Sequence, residues 1–342
     1  MQYTKEGFIE IEDSDLKNLS IFFGGRGLGK TYSVLKQRVL NAAADPEHDK
    51  FIWLRDTEII IKKIAAGNSL TQPIENIDHD FPHVKIMKKE GNYCFVMDPE
   101  SDHPIIIGYL MALSTFHNAR GISYEDVSTI VWDEFIPEEG SIVRKNQGAI
   151  FLNMYESVNR NREFSGSDPV KLIFLSNTND IYSDVLEDLG VSGLIEDMQY
   201  KEEKTYQNDD IVIHFLSSES FYTKKKDTFI YRINTNDKFR NMALDNNFNN
   251  CLALIKRKVN LKGAQGLLTL DKRYTLIQLS DGTLYYKLAC WKGLINYDMD
   301  NDQEAILYRL LFTDKLRLKY IAGQMFFDSI YTQKRILEYS RF

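Results

Sequence analysis

Apolar residues fall in short runs of β type, separated by stretches of helical spacing, and this alternation predicts an α/β fold. One run covers 19–23 and ends in glycines; Leu35 and Val39 then recur at i,i+4 and predict a helix over 31–43. Turn formers at 44–49 lead into a second strand at 51–55. The polar stretch 56–91 reads as an irregular insertion, with Ile59, Ile60, Ile61 and Phe81 tucked onto the core. Runs at 93–97 and 104–110 predict a hairpin. A β-branched run over 127–135 closes on two adjacent carboxylates, a helix follows over 150–162, and a strand runs from 171 toward 179. Ahead of all this, Phe8, Ile9 and Ile11 predict an N-terminal strand or arm.

The character changes beyond residue 200. Polar runs and Lys224, Lys225, Lys226 and Arg240 read as a linker subdomain, bounded by the turn formers at 245–250. Strand-like runs at 251–256, 266–270 and 274–279, an Asp281-Gly282 hairpin turn, and helices over 313–326 and 328–339 predict a small α+β domain. The expected division is therefore 1–200, 201–248 and 249–342.

Composition narrows the class. A chain of 342 residues with 43% hydrophobic content can bury a large core in two or three domains. It has no apolar run near the ~18 residues of a membrane helix, and its first residues lack the basic-then-apolar form of a signal peptide. The three cysteines are scattered and read as free thiols of a reducing cytoplasm. The six histidines are dispersed too, so no metal is expected beyond a nucleotide's Mg²⁺. A net charge of −7 argues against a protein that coats nucleic acid over its whole surface, and leaves room for local basic patches such as a ring lining a channel concentrates.

The chemistry begins at Gly24-Gly25-Arg26-Gly27-Leu28-Gly29-Lys30-Thr31, which fits the phosphate-binding loop at every specified position. Glycines let backbone N–H groups face phosphate oxygens without a Cβ in the way. Lys30 reaches the β- and γ-phosphates, Thr31 binds Mg²⁺, and the helix start adds its positive end. The bland alternative is a glycine turn that matches by accident.

The run Val127-Ser128-Thr129-Ile130-Val131-Trp132-Asp133-Glu134 is the second nucleotide motif. Asp133 holds Mg²⁺ through water and Glu134 polarises the attacking water. The competing reading is a strand capped by two solvated acids. An adjacent glutamate indicates an NTPase with its own base and an extra strand between the motif strands, as in RecA-like motors. Asn177, at the end of the 171–179 run, suits a γ-phosphate sensor.

A crossover helix returns the chain to the amino ends of the strands. Arg160 and Arg162 therefore fall opposite their own phosphate loop, where a neighbouring subunit in a ring can receive them. Arg160 is the first choice for an arginine finger acting in trans and Arg162 the second. Alternatively, both cap the helix and pair with Glu163.

Taken together, these motifs resemble the DNA-encapsidation ATPases of small tailed bacteriophages with protein-primed linear genomes. The resemblance rests on residues 24–31, on Val127 to Ile136, on Arg160-Asn161-Arg162-Glu163, on Leu175-Ser176-Asn177, on 242–246, and on the final ~30 residues. It implies a RecA-like ASCE P-loop ATPase domain, a short linker and a C-terminal domain of degenerate RNase H-like fold. It further implies a pentameric ring that drives double-stranded DNA into a prohead from the host cytoplasm, at the portal vertex, in some relatives on a structural RNA.

Carried over by residue, Gly29, Lys30 and Thr31 serve the phosphates and Mg²⁺, and Arg26 is an in-loop arginine. Asp133 and Glu134 take the metal and base roles, and Arg160 the finger. Arg120 is a candidate second trans contact, with Arg55 weaker, and Arg144 and Lys145 touch DNA from a pore loop. The strands of the C-terminal domain carry no interior carboxylates, so nuclease activity is not expected, Asp271 being the residue that leaves room for it. The basic residues Lys256, Arg257, Lys258, Lys315, Arg317, Lys319, Lys334 and Arg335 suit either a phosphate backbone or a solvated face. A competing function is an AAA-like ATPase that remodels protein; another is a nucleotide-binding module with little turnover.

Overall fold

In the computed structural model, which describes residues 1–66, 80–89, 91–119, 124–137, 146–177, 181–233 and 252–341, the apolar runs become the strands of two large sheets, beside a two-stranded pair near the N-terminus. The chain divides into two units, Met1–Leu189 with Met198–Phe248, and Gly190–Asp197 with Asn249–Phe342.

In the first unit, β1 (Gln2–Tyr3) and β2 (Ile9–Glu10) pair as a small arm. Nine strands then share one sheet: β3 (Leu19–Phe23), β4 (Lys50–Arg55), β5 (Val84–Lys89), β6 (Asn92–Met97), β7 (Ile105–Ala112), β8 (Val127–Asp133), β9 (Lys171–Ser176), β10 (Thr205–Gln207) and β11 (Ile211–Phe215). Their order is β10-β11-β3-β9-β8-β4-β7-β6-β5. From β11 to β7 all neighbours are parallel, while β10 and the β7-β6-β5 edge are antiparallel. Parallel strands covered on both faces read as continuous apolar runs, and β3 is buried at all five positions. One strand, β9, stands between β3 and β8.

Helix α1 (Lys30–Ala44) buries Val34, Leu35, Val39 and Ala42 on this sheet. Its Arg38 is also buried, paired with Asp13 and donating to the Thr129 hydroxyl at 3.1 Å. The insertion expected to be irregular contains α2 (Glu58–Ala66), which buries Ile61 and Ile64. Ile59 points away, 67% exposed, because on a helix it cannot share a face with both. Helices α3 (Gln147–Asn159) and α4 (Asp184–Asp188) follow, then α5 (Ser192–Tyr200), whose first six residues are counted with the second unit, and α6 (Glu219–Lys226) and α7 (Phe229–Ile233).

A second correction concerns the linker. Residues 205–215 supply β10 and β11, and β11 pairs with β3 from Ile211↔Leu19 to Phe215↔Phe23. The phosphate-loop strand needs a partner on each side, and Ile211-Val212-Ile213 provides it within a polar neighbourhood that masked the run.

The strands β4 and β7 meet closely at Gly108. A Cβ there lies 2.9 Å from both the Phe51 ring and the Phe51 carbonyl oxygen. Gly108→Ala is therefore expected to cost about 1–3 kcal/mol through overpacking, read as a lower denaturation midpoint at unchanged slope.

The second unit holds β12 (Gln265–Leu270), β13 (Tyr274–Gln278), β14 (Leu284–Leu288), β15 (Asn296–Tyr297) and β16 (Met325–Phe327), ordered β15-β12-β13-β14-β16. It also holds α8 (Asp302–Ile321) and α9 (Ile330–Ser340). Helix α8 starts eleven residues before the expected 313, because the Asn301 side chain accepts from the N–H groups of Gln303 and Glu304. It stops before Gly323, at φ +66°, which frees Met325–Phe327 to form a strand instead of ending the helix. Asp271 sits in the β12–β13 turn, where its carboxylate accepts from the Met299 N–H at 2.7 Å and the Tyr339 hydroxyl at 2.5 Å. Both of its oxygens are thus engaged in structural contacts.

Candidate functional site

The loop 24–29 leaves the carboxyl end of β3 and enters α1 directly. Gly27 and Gly29 take φ of +86° and +89°, a backbone region that only glycine reaches without strain. Lys30, 3% exposed, folds back over the loop and donates to the carbonyls of Gly24 at 2.8 Å and Gly25 at 3.0 Å. Burial pushes its ammonium down to about 7; Asp133 and Glu134 act against this and Lys225 with it.

Register places the other groups at the same sheet edge. Phe23 pairs with Ser176, Leu175 with Asp133, and Trp132 with Leu54. Gly24, Asn177, Glu134 and Arg55 are therefore the residues at or just beyond the strand ends. The Thr31 hydroxyl donates to Asp133 Oδ1 at 3.1 Å. Asn177 Nδ2 donates to Glu134 Oε1 at 3.1 Å. Arg55 Nη1 donates to Asp133 Oδ2 at 2.6 Å, and its Nη2 bonds Glu134 Oε2. Burial pushes the Asp133 carboxyl above its usual range, and Arg55 is the main opposing influence.

Glu134 carries a φ of +54°, costly for a residue with a Cβ. The turn it makes swings its side chain between Arg55 and Asn177, and Phe135 N–H then rejoins the sheet at Leu175 O. Strain of this kind concentrates at working sites. The donor set of Thr31 hydroxyl and Asp133 carboxylate is all hard oxygen, which fits Mg²⁺ beside phosphate oxygens.

Of the sequence candidates, Gly24 to Thr31, Asp133, Glu134 and Asn177 come together. Arg55 joins them. Expected above only as a weaker candidate for a contact to another subunit, it binds both acids of its own chain, because β4 lies next to β8. The pattern that could have revealed it is a basic residue closing the strand beside the one that ends in two acids.

Arg160 and Arg162 lie elsewhere. Arg162 Nη2 donates to the carbonyls of Tyr124 at 2.6 Å and Glu125 at 3.2 Å, just before β8 begins. The length of β8, at about 3.3 Å per residue, sets this roughly 20 Å from Asp133. Arg160 is exposed in the left-handed cap of α3, its Nε donating to Ser157 O at 3.2 Å. Glu163 accepts from the Asn159 amide at 3.0 Å. Arg120, Arg144 and Lys145 fall outside the described residues.

Residues 12–262 match the family described as Podovirus DNA encapsidation protein (Gp16). The sequence is 28% identical over 233 residues to the DNA packaging protein of Bacillus phage B103, covering 68% of this chain and 64% of that relative. Against the DNA packaging protein of Bacillus phage phi29 it is 27% identical over 231 residues, 67% of this chain and 62% of the relative. The match thus spans less than two-thirds of either relative. A solved chain of the bacteriophage Phi-29 viral genome packaging motor assembly superposes at a TM-score of 0.60, with 18% identity and 95% of each chain covered. A chain of the Phi-28 gp11 DNA packaging motor does so at 0.60, with 17% identity, over 95% of this chain and 94% of that one. The common element is a mixed α/β fold with a large parallel sheet.

Proposed function

The chain belongs to the podovirus DNA encapsidation protein family, and from that premise we propose that it is an ATP-hydrolysing motor that moves double-stranded DNA into a prohead. The observation that carries this reading is the meeting of Lys30, Thr31, Asp133, Glu134, Asn177 and Arg55 at one end of the parallel sheet. The strand order, with β9 between the two motif strands, supports a RecA-like ASCE assignment. We likewise assign the second unit to a nuclease-like fold that does not cleave DNA.

In this reading the loop backbone and Lys30 hold the triphosphate, and Thr31 with Asp133 hold Mg²⁺. When bound, the ion offsets the charge that develops on the phosphates. Glu134 takes the proton of the attacking water. Asn177 holds one carboxylate oxygen of Glu134 and Arg55 the other, which fixes the carboxylate and leaves its remaining lone pairs for the water. Arg55 neutralises both acids where their charges crowd. Subunits form a ring, probed below through Arg160, with Arg120 as a further contact and Arg144 and Lys145 on the DNA; the prohead portal and a structural RNA are the remaining partners.

The direct test is the ATPase rate with and without double-stranded DNA, in the presence of proheads. Stimulation by DNA is expected; a rate indifferent to DNA but raised by a protein substrate would move the chain to the remodelling class.

Lys30 adds a pH signature. An ammonium held near 7 is mostly neutral at pH 8 and becomes charged when a triphosphate arrives. ATP binding at pH 8 should therefore take up close to one proton, whereas at pH 6 Lys30 is already charged and contributes none. Calorimetry in buffers of different ionisation enthalpy reads this directly. Absence of uptake at pH 8 would show that the lysine stays charged in the free protein.

A further inference from the structure

The triphosphate end of the site is fixed by groups on β8 and β9. These strands lie on one side of β3, so a bound nucleotide leaves the loop toward the other side, where β11 and its continuation stand. That side is lined with aromatic rings. Leu216 N–H bonds Phe23 O at 2.7 Å, which keeps the chain after β11 against the loop, and α6 starts two residues later at the Ser218 cap. A Cβ at Gly27 would sit 3.1 Å from the Phe221 ring, and one at Gly29 would sit 3.4 Å from Phe8 Cβ. The Phe8 and Phe221 rings lie 5.8 Å apart, tilted by 56°. Lys225 ties this wall to the loop, donating to Arg26 O at 2.7 Å with its ammonium 5.4 Å from the centroids of both Phe221 and Tyr231.

Phe8 is 43% exposed, although it occupies the arm that backs the loop and its neighbour Ile9 is buried, with its N–H bonded to Leu28 O at 2.8 Å. The arm is thus held in place with an aromatic face left in solvent. Gly7 makes this fit possible: a Cβ there would lie 2.5 Å from Ser220 Oγ and 2.7 Å from Ser218 Oγ. Two segments more than two hundred residues apart in sequence are packed together so that a ring from each meets at the phosphate loop.

We infer that Phe8 and Phe221, packed against each other, form the aromatic wall for the nucleobase, on which the base of a nucleoside triphosphate stacks. The inference rests on the phosphate-loop reading above and adds the half of the ligand which that reading leaves unassigned. Recognition by ring faces is tolerant of base identity, since every base presents a π-face.

The test compares ATP with inorganic tripolyphosphate, which shares the phosphates and lacks the base. Binding of each to the full chain is measured by calorimetry for the wild type, Phe8→Ala and Phe221→Leu. Loss of base stacking is expected to weaken ATP by about tenfold or more and to leave tripolyphosphate unchanged. Phe8→Ala removes an exposed ring and Phe221→Leu keeps an apolar group, so each variant controls for misfolding in the other. Variants that lose both ligands alike, or neither, overturn the aromatic wall while leaving the phosphate loop standing. A wild type that binds neither ligand overturns the loop reading and the aromatic wall with it.

Discussion

Glu134→Gln is expected to lower the turnover number by about 10²–10⁴-fold, the usual contribution of a positioned general base, while leaving ATP affinity in place. Glutamine fills nearly the same volume and keeps an oxygen for the Asn177 amide, so the 3.1 Å contact survives, while proton acceptance and the ion pair with Arg55 are lost. Lys30, Thr31 and Asp133, which hold the triphosphate and its ion in the proposed mechanism, are untouched. Single-turnover hydrolysis together with equilibrium nucleotide binding separates the two effects. Retained hydrolysis would demote Glu134 to a solvated strand cap. Loss of binding in parallel with hydrolysis would mean that its pairing with Arg55 supports the site structurally rather than chemically.

The contrast between Glu134 and Arg55 shows what the sequence made legible. Gly24 to Thr31 and Asp133-Glu134 are contiguous motifs whose spacing carries the chemistry, so each could be read locally. The contact of Arg55 depends on which strands are neighbours. Its pairing with both acids follows from β4 lying beside β8, and strand order is a long-range property that local patterning does not encode. The same limit explains β11: five residues in a polar stretch carry too weak a signal alone, yet they complete the sheet beside β3. The start of helix α8 differs from the expected 313 for another reason. Its start signal, Asn301 followed by Glu304, is written locally in the chain.

The nucleobase side is the extreme case. Phe8 and Phe221 have no spacing relation in sequence, and their meeting requires both the arm and the strand β11 to be placed first. Features written within one segment were readable, while those written between segments had to wait for the fold.

A comparable loss, about 10³–10⁵-fold in turnover as for arginine fingers elsewhere, is expected for Arg160→Ala, although Arg160 stands at the sheet end remote from its own loop. Arg162→Ala is expected to act differently. It strips a donor from the Tyr124 and Glu125 carbonyls, so it should lower stability by about 1–3 kcal/mol and spare the chemistry of folded protein. Mixing decides between a cis and a trans role. An Arg160→Ala subunit keeps its base, and a Glu134→Gln subunit keeps its arginine. In a ring with head-to-tail contacts, about a quarter of the sites in an equal mixture pair an intact base with an intact arginine from the neighbour. Hydrolysis should therefore reappear on mixing two inactive proteins, with a maximum near equal proportions. If no ratio restores it, Arg160 serves its own subunit or none, and the exposed cap of α3 is then a surface feature and not a ring contact.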